Sequence, residues 1–268
     1  MPHAHGVDLA HIERGSGPVV LFIHETATGA AIWLPLTDAL GDGTRSISYD
    51  RRGWGASAAP QAYSRTTIEE QSEDAAALLE SLGVERALVC GAGLGAVAAL
   101  DLMLRRPAMV SAAILIEPPL FAFVPEATEG LSADRLAIEE AIRGGGPDAA
   151  MDLYLAGGLP YLGAGAERIP AEVCEAARAR PGTLFAELGA VPAWSLQPTA
   201  LRAVEAPSRV VLSASSPPPL RAAAAGLCER LSRSQALEVE GDGLPHTSAA
   251  PALANLISSH ADGWISTK

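Results

Sequence analysis

The sequence predicts an α/β protein: a mostly parallel, doubly wound sheet with a block of helices laid over one edge. Three observations predict it. Short apolar runs alternate with helical patterns along most of the chain. Between Pro118 and Pro207 that rhythm stops, and the segment reads as helices broken by Gly and Pro, without a convincing strand. The stretch "VCGAGLGAVAAL" (89–100) joins an apolar strand to a small-residue helix through glycines at alternate positions, Gly91, Gly93 and Gly95.

Taken in order, "VVLFIH" (19–24) is a buried-strand run entered from the turn Gly15-Ser16-Gly17-Pro18. "TRSISYD" (44–50) predicts the next strand. A helix follows over "TTIEEQSEDAAALLESLG", with Thr66 and Glu69 at capping-box spacing and Gly83 as its stop. "RALVCG" (86–91) is a strand, about 94–105 a helix, and "SAAILIE" (111–117) a strand. Helices are predicted over about 132–143, 147–156, 170–179 and 183–190. "SRVVLS" (208–213) and "ALEVEG" (236–241) are the last strands, with helices over 219–231 and 249–260. The expected organisation is a core of residues 1–119 and 206–268 and a helical cap, 120–205. The cap would lie over the C-terminal sheet edge, where open α/β folds bind ligands.

Bulk properties narrow the function. The 268 residues, 49% hydrophobic, suffice for an ample core without staples. A formal net charge of −12 argues against nucleic acid or an anionic membrane as partner. No run approaches 18 apolar residues without a charge, so no membrane span is predicted. Cys90, Cys174 and Cys228 are odd in number, widely spaced and without C-x-x-C, which argues against a disulfide framework or a zinc site. Cys90 reads as a buried small hydrophobe. The first residues lack the apolar core of a signal peptide, so a reducing, cytoplasmic location is expected. His3 and His5 read as a frayed terminus rather than a metal site. The expected partner is a small molecule, apolar or aromatic; no cofactor or metal is called for, and oligomeric state is not indicated.

The segments "FIHETATGAAIW" (22–33), "YDRRGWGAS" (49–57), "CGAGLGA" (90–96), "ILIEPP" (114–119) and "EGDGLPHTS" (240–248) occur in a telling order. That order resembles the α/β-hydrolase superfamily over nearly the whole chain, closest to compact members with a helical cap. The resemblance implies a nucleophile on a strained strand-to-helix turn, a histidine base, an acid that orients it, and two backbone N–H groups as an oxyanion hole. At the nucleophile position stands Gly93, which has no side chain, so covalent catalysis from the elbow is excluded on chemistry. The usual acid position holds Ser213; a second family position for the acid holds Glu117, which either partners the histidine or binds loop backbone. His246 matches the base. Asp242 either pairs with it or shapes a turn. Leu94 and Thr26 match the backbone donors.

Where the family has His-Gly, this chain has His24-Glu25. Glu25 is either a new carboxylate beside the empty elbow, placed for general acid or base work, or a solvated side chain on a reshaped loop. An Asp-Arg pair is expected to hold the Asp50–Ser57 loop together. Trp33 reads as core or pocket wall, and His24 as a candidate pocket residue. Phe121, Phe123, Tyr154, Tyr161, Phe185 and Trp194 either line an apolar pocket or pack the cap helices.

Gly93 is one of several departures, with Ala92, Glu25 and Ser213, so a single knock-out of an ordinary esterase does not describe the chain. The favoured expectation is a cofactor-independent small-molecule enzyme without an acyl-enzyme. It would use acid–base catalysis for cyclisation, elimination, isomerisation or C–C/C–O cleavage, in a setting such as secondary metabolism. The alternatives are a catalytically silent ligand-binding homologue and a hydrolase whose water is activated by the histidine.

Overall fold

Strands form where the apolar runs lie. The computed structural model describes residues 3, 4, 6–60, 62–241 and 243–259. A short ribbon, β1 (His3–Ala4) against β2 (Val7–Asp8), precedes the main sheet. The sheet contains β3 (His11–Arg14), β4 (Val19–Ile23), β5 (Arg45–Tyr49), β6 (Ala87–Ala92), β7 (Val110–Ile116), β8 (Ser208–Ser213) and β9 (Ser234–Val239). Their spatial order is β3-β5-β4-β6-β7-β8-β9; β3 runs antiparallel to β5 and every other neighbouring pair is parallel. The doubly wound α/β sheet expected from the sequence is therefore present.

Covering both faces requires strands that are apolar on both sides, and β6 is buried at every position. On β4 the two faces separate by alternation: Leu21 and Ile23 join one core layer, Val20 and Phe22 the other. The helices in chain order are α1 (Leu34–Leu40), α2 (Ile68–Ser81), α3 (Leu94–Arg105), α4 (Ala127–Leu155), α5 (Ala171–Arg178), α6 (Pro181–Leu188), α7 (Ala190–Ala193), α8 (Pro198–Leu201), α9 (Pro218–Cys228), α10 (Pro245–Ser248) and α11 (Ala250–Ser258). The capping box of α2 lies one residue later than expected. Thr67 Oγ1 accepts the Glu70 N–H at 3.1 Å, and the Glu70 carboxylate accepts the Thr67 N–H at 3.0 Å. The two helices expected over 132–156 join as α4, bent where Gly146 (φ 72) leaves the helical region ahead of Pro147.

Between β7 and β8 the described residues form helices α4 to α8 and no strand. Two buried ion pairs fasten this insertion to the sheet. On one flank Arg51, after β5, donates to Glu187 of α6 at 2.5 and 3.1 Å. On the other, Arg168 of the insertion pairs with Glu117, which follows β7. The Asp-Arg pair expected within the Asp50–Ser57 loop does not form. Arg52 pairs with Asp74 of α2 at 2.6 Å, and Asp50 accepts the N–H groups of Ala30 and Ala56 at 2.7 and 2.8 Å. Asp50 is thus a backbone clamp, because its carboxylate is already filled by main-chain donors. No described helix is long and apolar enough to cross a membrane. Cys90 is buried, and burial raises its thiol pKa. His5, Asp242 and the last residue of the helix expected over 249–260 lie outside the described residues.

Candidate active site

The elbow forms as the glycine pattern requires. β6 turns into α3 at Gly93, whose φ of 52° and ψ of −123° lie where a side chain is strained. Gly95 lets α3 approach β4: a Cβ there would stand 2.2 Å from the Ile23 carbonyl oxygen. The turn is a strand-to-helix elbow whose apex residue, Gly93, bears no side chain.

The position above that apex is filled from the neighbouring loop. A Cβ built on Gly93 would lie 2.7 Å from the Cβ of Glu25. Glu25 therefore crowds the space that a side chain on Gly93 would need. Glu25 Oε1 is buried without a hydrogen-bond donor and lies 3.5 Å from His246 Nε2. His246 sits on α10, fully buried, and neither ring nitrogen has a hydrogen-bond partner among the described residues. Its ring packs on the Trp33 indole, with centroids 4.5 Å apart.

Two residues read as candidates for the pocket are placed elsewhere. Trp33 is fully buried between Phe22 and His246, so it backs the histidine and does not line the cavity. His24 is also absent from the lining. Its Nε2 accepts the Arg51 N–H at 2.9 Å, so Nδ1 carries the proton and donates to the Glu25 carbonyl at 2.7 Å. Burial, followed by the nearby Arg51 charge, holds the His24 pKa well below its ordinary value. His24 is a neutral brace for the loop that carries Glu25.

Glu117 is likewise occupied. Its carboxylate receives Arg168 Nη1 at 3.0 Å, Ser213 Oγ at 3.3 Å, and closer contacts from Arg168 Nη2 and Ser216. Glu117 makes no hydrogen bond to His246, so the carboxylate beside the histidine is Glu25. The buried ion pair holds Glu117 at a φ of 47°, an unusual conformation for a residue with a side chain.

The cavity above the elbow has a volume of about 340 Å³. Glu25, Thr26, Gly93, Leu94 and His246 form its floor. Of the cap aromatics, Phe121, Phe123, Tyr154, Tyr161 and Trp194 line it, while Phe185 does not. Burial, then the Glu187 and Glu25 charges, push the Tyr154 phenol upward, so it stays protonated. As the first residue of α3, Leu94 has an N–H with no intrahelical acceptor, at the positive end of the helix dipole. Thr26 also lines the cavity. Glu187, which sequence reasoning missed, accepts the Thr26 hydroxyl at 2.7 Å and the Trp54 indole N–H at 2.8 Å. Arg168 and Ser216 were also missed. The only signal for Glu187 was one acid in the otherwise apolar "PGTLFAELGA".

Fold and elbow together define the class. The sequence profile of the Alpha/beta hydrolase family matches residues 20–256, and the chain belongs to that family. Among curated relatives, 2-(acetamidomethylene)succinate hydrolase of Mesorhizobium japonicum is 31% identical over 161 residues, 60% of this chain and 55% of the relative. A putative non-heme bromoperoxidase, BpoC, of Mycobacterium tuberculosis is 34% identical over 112 residues, 41% of this chain and 42% of its own length. The matches thus span about half the length of these relatives. A hydrolase structure from Pseudomonas aeruginosa superposes with a TM-score of 0.76 at 21% identity, covering 98% of this chain and 97% of that one. A structure described as Est816, an N-acyl homoserine lactone degrading enzyme, gives 0.74 at 21% identity, covering 96% and 99%. At such identities the structures attest the fold alone.

Proposed function

We propose that this chain catalyses proton transfer on a small apolar substrate without forming an acyl-enzyme, with Glu25 and His246 as the acid–base pair. One observation carries the reading: Glu25 crowds the space that a side chain on Gly93 would need, and its unpartnered Oε1 lies 3.5 Å from His246 Nε2. In the reaction one of the two takes a proton from substrate carbon or oxygen. The N–H groups of Leu94 and Thr26 hold the oxygen that gains charge, and the pair returns the proton. Cyclisation, elimination, isomerisation and C–C or C–O cleavage all suit these parts.

A second reading, hydrolysis by water activated at His246, is favoured by relatives named as hydrolases, a putative carbamate hydrolase of Azorhizobium caulinodans among them. The succinate of the Mesorhizobium relative is not carried over, because no Arg or Lys lines the cavity among the described residues. A third, a silent ligand-binding homologue, predicts no turnover at all.

The deciding experiment follows α-proton exchange of 2-tetralone in D2O by NMR. Exchange should exceed the buffer rate, and Glu25→Gln or His246→Ala should each lower it about 10²–10⁴-fold. An unchanged rate in both variants would refute the pairing. Alongside it, the protein should resist a serine-directed fluorophosphonate and barely hydrolyse p-nitrophenyl acetate; labelling at the elbow would overturn the absence of acyl-enzyme chemistry. Ester hydrolysis without labelling, lost in His246→Ala, would select the second reading.

A further inference from the structure

The charges around the cavity restrict what can enter it. Among the described residues three carboxylates line the cavity, Glu25, Glu117 and Glu187, and no Lys or Arg does. Two of the three are already neutralised. Arg168, largely buried, is committed to Glu117, and its Nη1 also serves Ser213 Oγ at 3.1 Å and the Gly243 carbonyl at 2.9 Å. Arg51, fully buried, is committed to Glu187, whose oxygens also hold Trp54 and Thr26. Arg168 Nε is buried without a partner, but neither Arg168 nor Arg51 lines the cavity. Glu25 is in the opposite condition: it lines the cavity, no Lys or Arg among the described residues pairs with it, and its Oε1 lies 3.5 Å from His246 Nε2. A carboxylate facing an apolar cavity without a cation of its own is stabilised by a ligand that brings one.

We infer that the substrate of this pocket is an apolar amine without an anionic group, its ammonium meeting Glu25 and its hydrocarbon body lying between the aromatic walls. The inference rests on Glu25 being the polar end of the pocket, as in the proton-transfer reading, and adds the charge of the molecule that meets it. An ammonium brings Glu25 the charge-assisted donors that Arg51 and Arg168 bring to the other two carboxylates. Phe121 and Tyr161, edge-on at 5.4 Å between centroids, with Tyr154 and Trp194, offer π-faces that tolerate a cation and bury the ring attached to it. A carboxylate or phosphate would add a second uncompensated negative charge beside Glu25, in a lining without Lys or Arg among the described residues. Such a ligand is rejected by what the pocket contains, not merely unassisted. The volume of about 340 Å³ suits one aromatic ring with a short chain.

Three near-isosteres separate the possibilities: 2-phenylethylamine, 2-phenylethanol and 3-phenylpropanoate, each titrated calorimetrically into the intact protein at neutral pH. The amine should bind about tenfold tighter than the alcohol, or more, and the carboxylate more weakly than either. In Glu25→Gln the amine-to-alcohol ratio should fall towards one. A carboxylate that binds as tightly as the amine would overturn the inference, as would an undiminished ratio in Glu25→Gln or no binding of the amine at millimolar concentration. The wild-type amine-to-carboxylate ratio needs no variant, so the test stands even if Glu25→Gln does not fold. Retained amine preference without 2-tetralone exchange would sink the catalytic reading alone; exchange without amine preference would sink this one alone.

Discussion

Substituting Gly93 by serine would place a Cβ 2.7 Å from the Cβ of Glu25 and 3.6 Å from its Cα. Carbon atoms in contact ordinarily stay about 3.5–4.0 Å apart, so the new atom arrives about 1 Å too close. Both partners are first side-chain atoms, and neither can rotate away without moving backbone. Overpacking of this kind costs about 1–3 kcal/mol. A side chain at φ 52°, ψ −123° adds strain of about 1–3 kcal/mol. Against a typical stability of about 5–15 kcal/mol, that sum of about 2–6 kcal/mol is severe. Glu25→Gly relieves the contact and leaves the backbone strain. A double-mutant cycle should therefore show Gly93→Ser and Glu25→Gly to be coupled by about 1–3 kcal/mol, the pair being more stable than the sum of the singles predicts. Urea unfolding followed by circular dichroism measures the four stabilities. Fluorophosphonate labelling should appear in the double variant and be much weaker in Gly93→Ser. Additivity within about 0.5 kcal/mol, or equal labelling of both, would refute the reciprocal fit of the two residues.

Two further outcomes follow from the buried charges. Arg168→Met leaves Glu117 buried without its cation and should cost about 3–5 kcal/mol in urea unfolding, most of it recovered by adding Glu117→Leu; a loss under 1 kcal/mol would contradict the pairing. His24 is neutral in the folded protein because burial and Arg51 hold its pKa well below 6.5. The unfolded chain takes up that proton below about pH 6.5, so stability is constant above this pH and declines beneath it. The decline reaches at most about 1.4 kcal/mol per pH unit, until the native ring itself protonates. Unfolding titrations between pH 5 and 7 should lose one proton's worth of slope in His24→Asn, and an unchanged slope would disprove the assignment.

The sheet was legible because its buried strands are uninterrupted apolar runs: "VVLFI", "ALVCGA" and "SRVVLS" admit few other readings. β3 was not, because an edge strand reading "HIER" has one apolar residue and owes its conformation to pairing with β5. The capping box slipped by one residue because Thr66 and Thr67 are adjacent, each with a glutamate three residues on, and only the fold decides between them. At the site, Gly93, Glu25 and His246 were readable through their places in a known order of motifs. Of the two readings for Trp33 the structure shows the core one, and His24 was misplaced because adjacency in sequence to Glu25 does not give direction. Arg168 carries no local signal, and Glu187 only that of a lone acid in an apolar stretch. Their partners lie 51 and 136 residues away, and a charge on a cap helix looks solvated until its partner is known.

The two ion pairs that fasten the insertion have opposite polarity: the sheet supplies the cation at Arg51 and the anion at Glu117. Cap and core therefore carry a lock with two complementary keys. A cap borrowed from a relative would have to bring an acid to one flank and a base to the other. If either were missing, a bare charge would remain under the graft. Insertions from other chains are thus not freely interchangeable here. Any redesign of this pocket by cap exchange must treat positions 51, 117, 168 and 187 as one inherited unit.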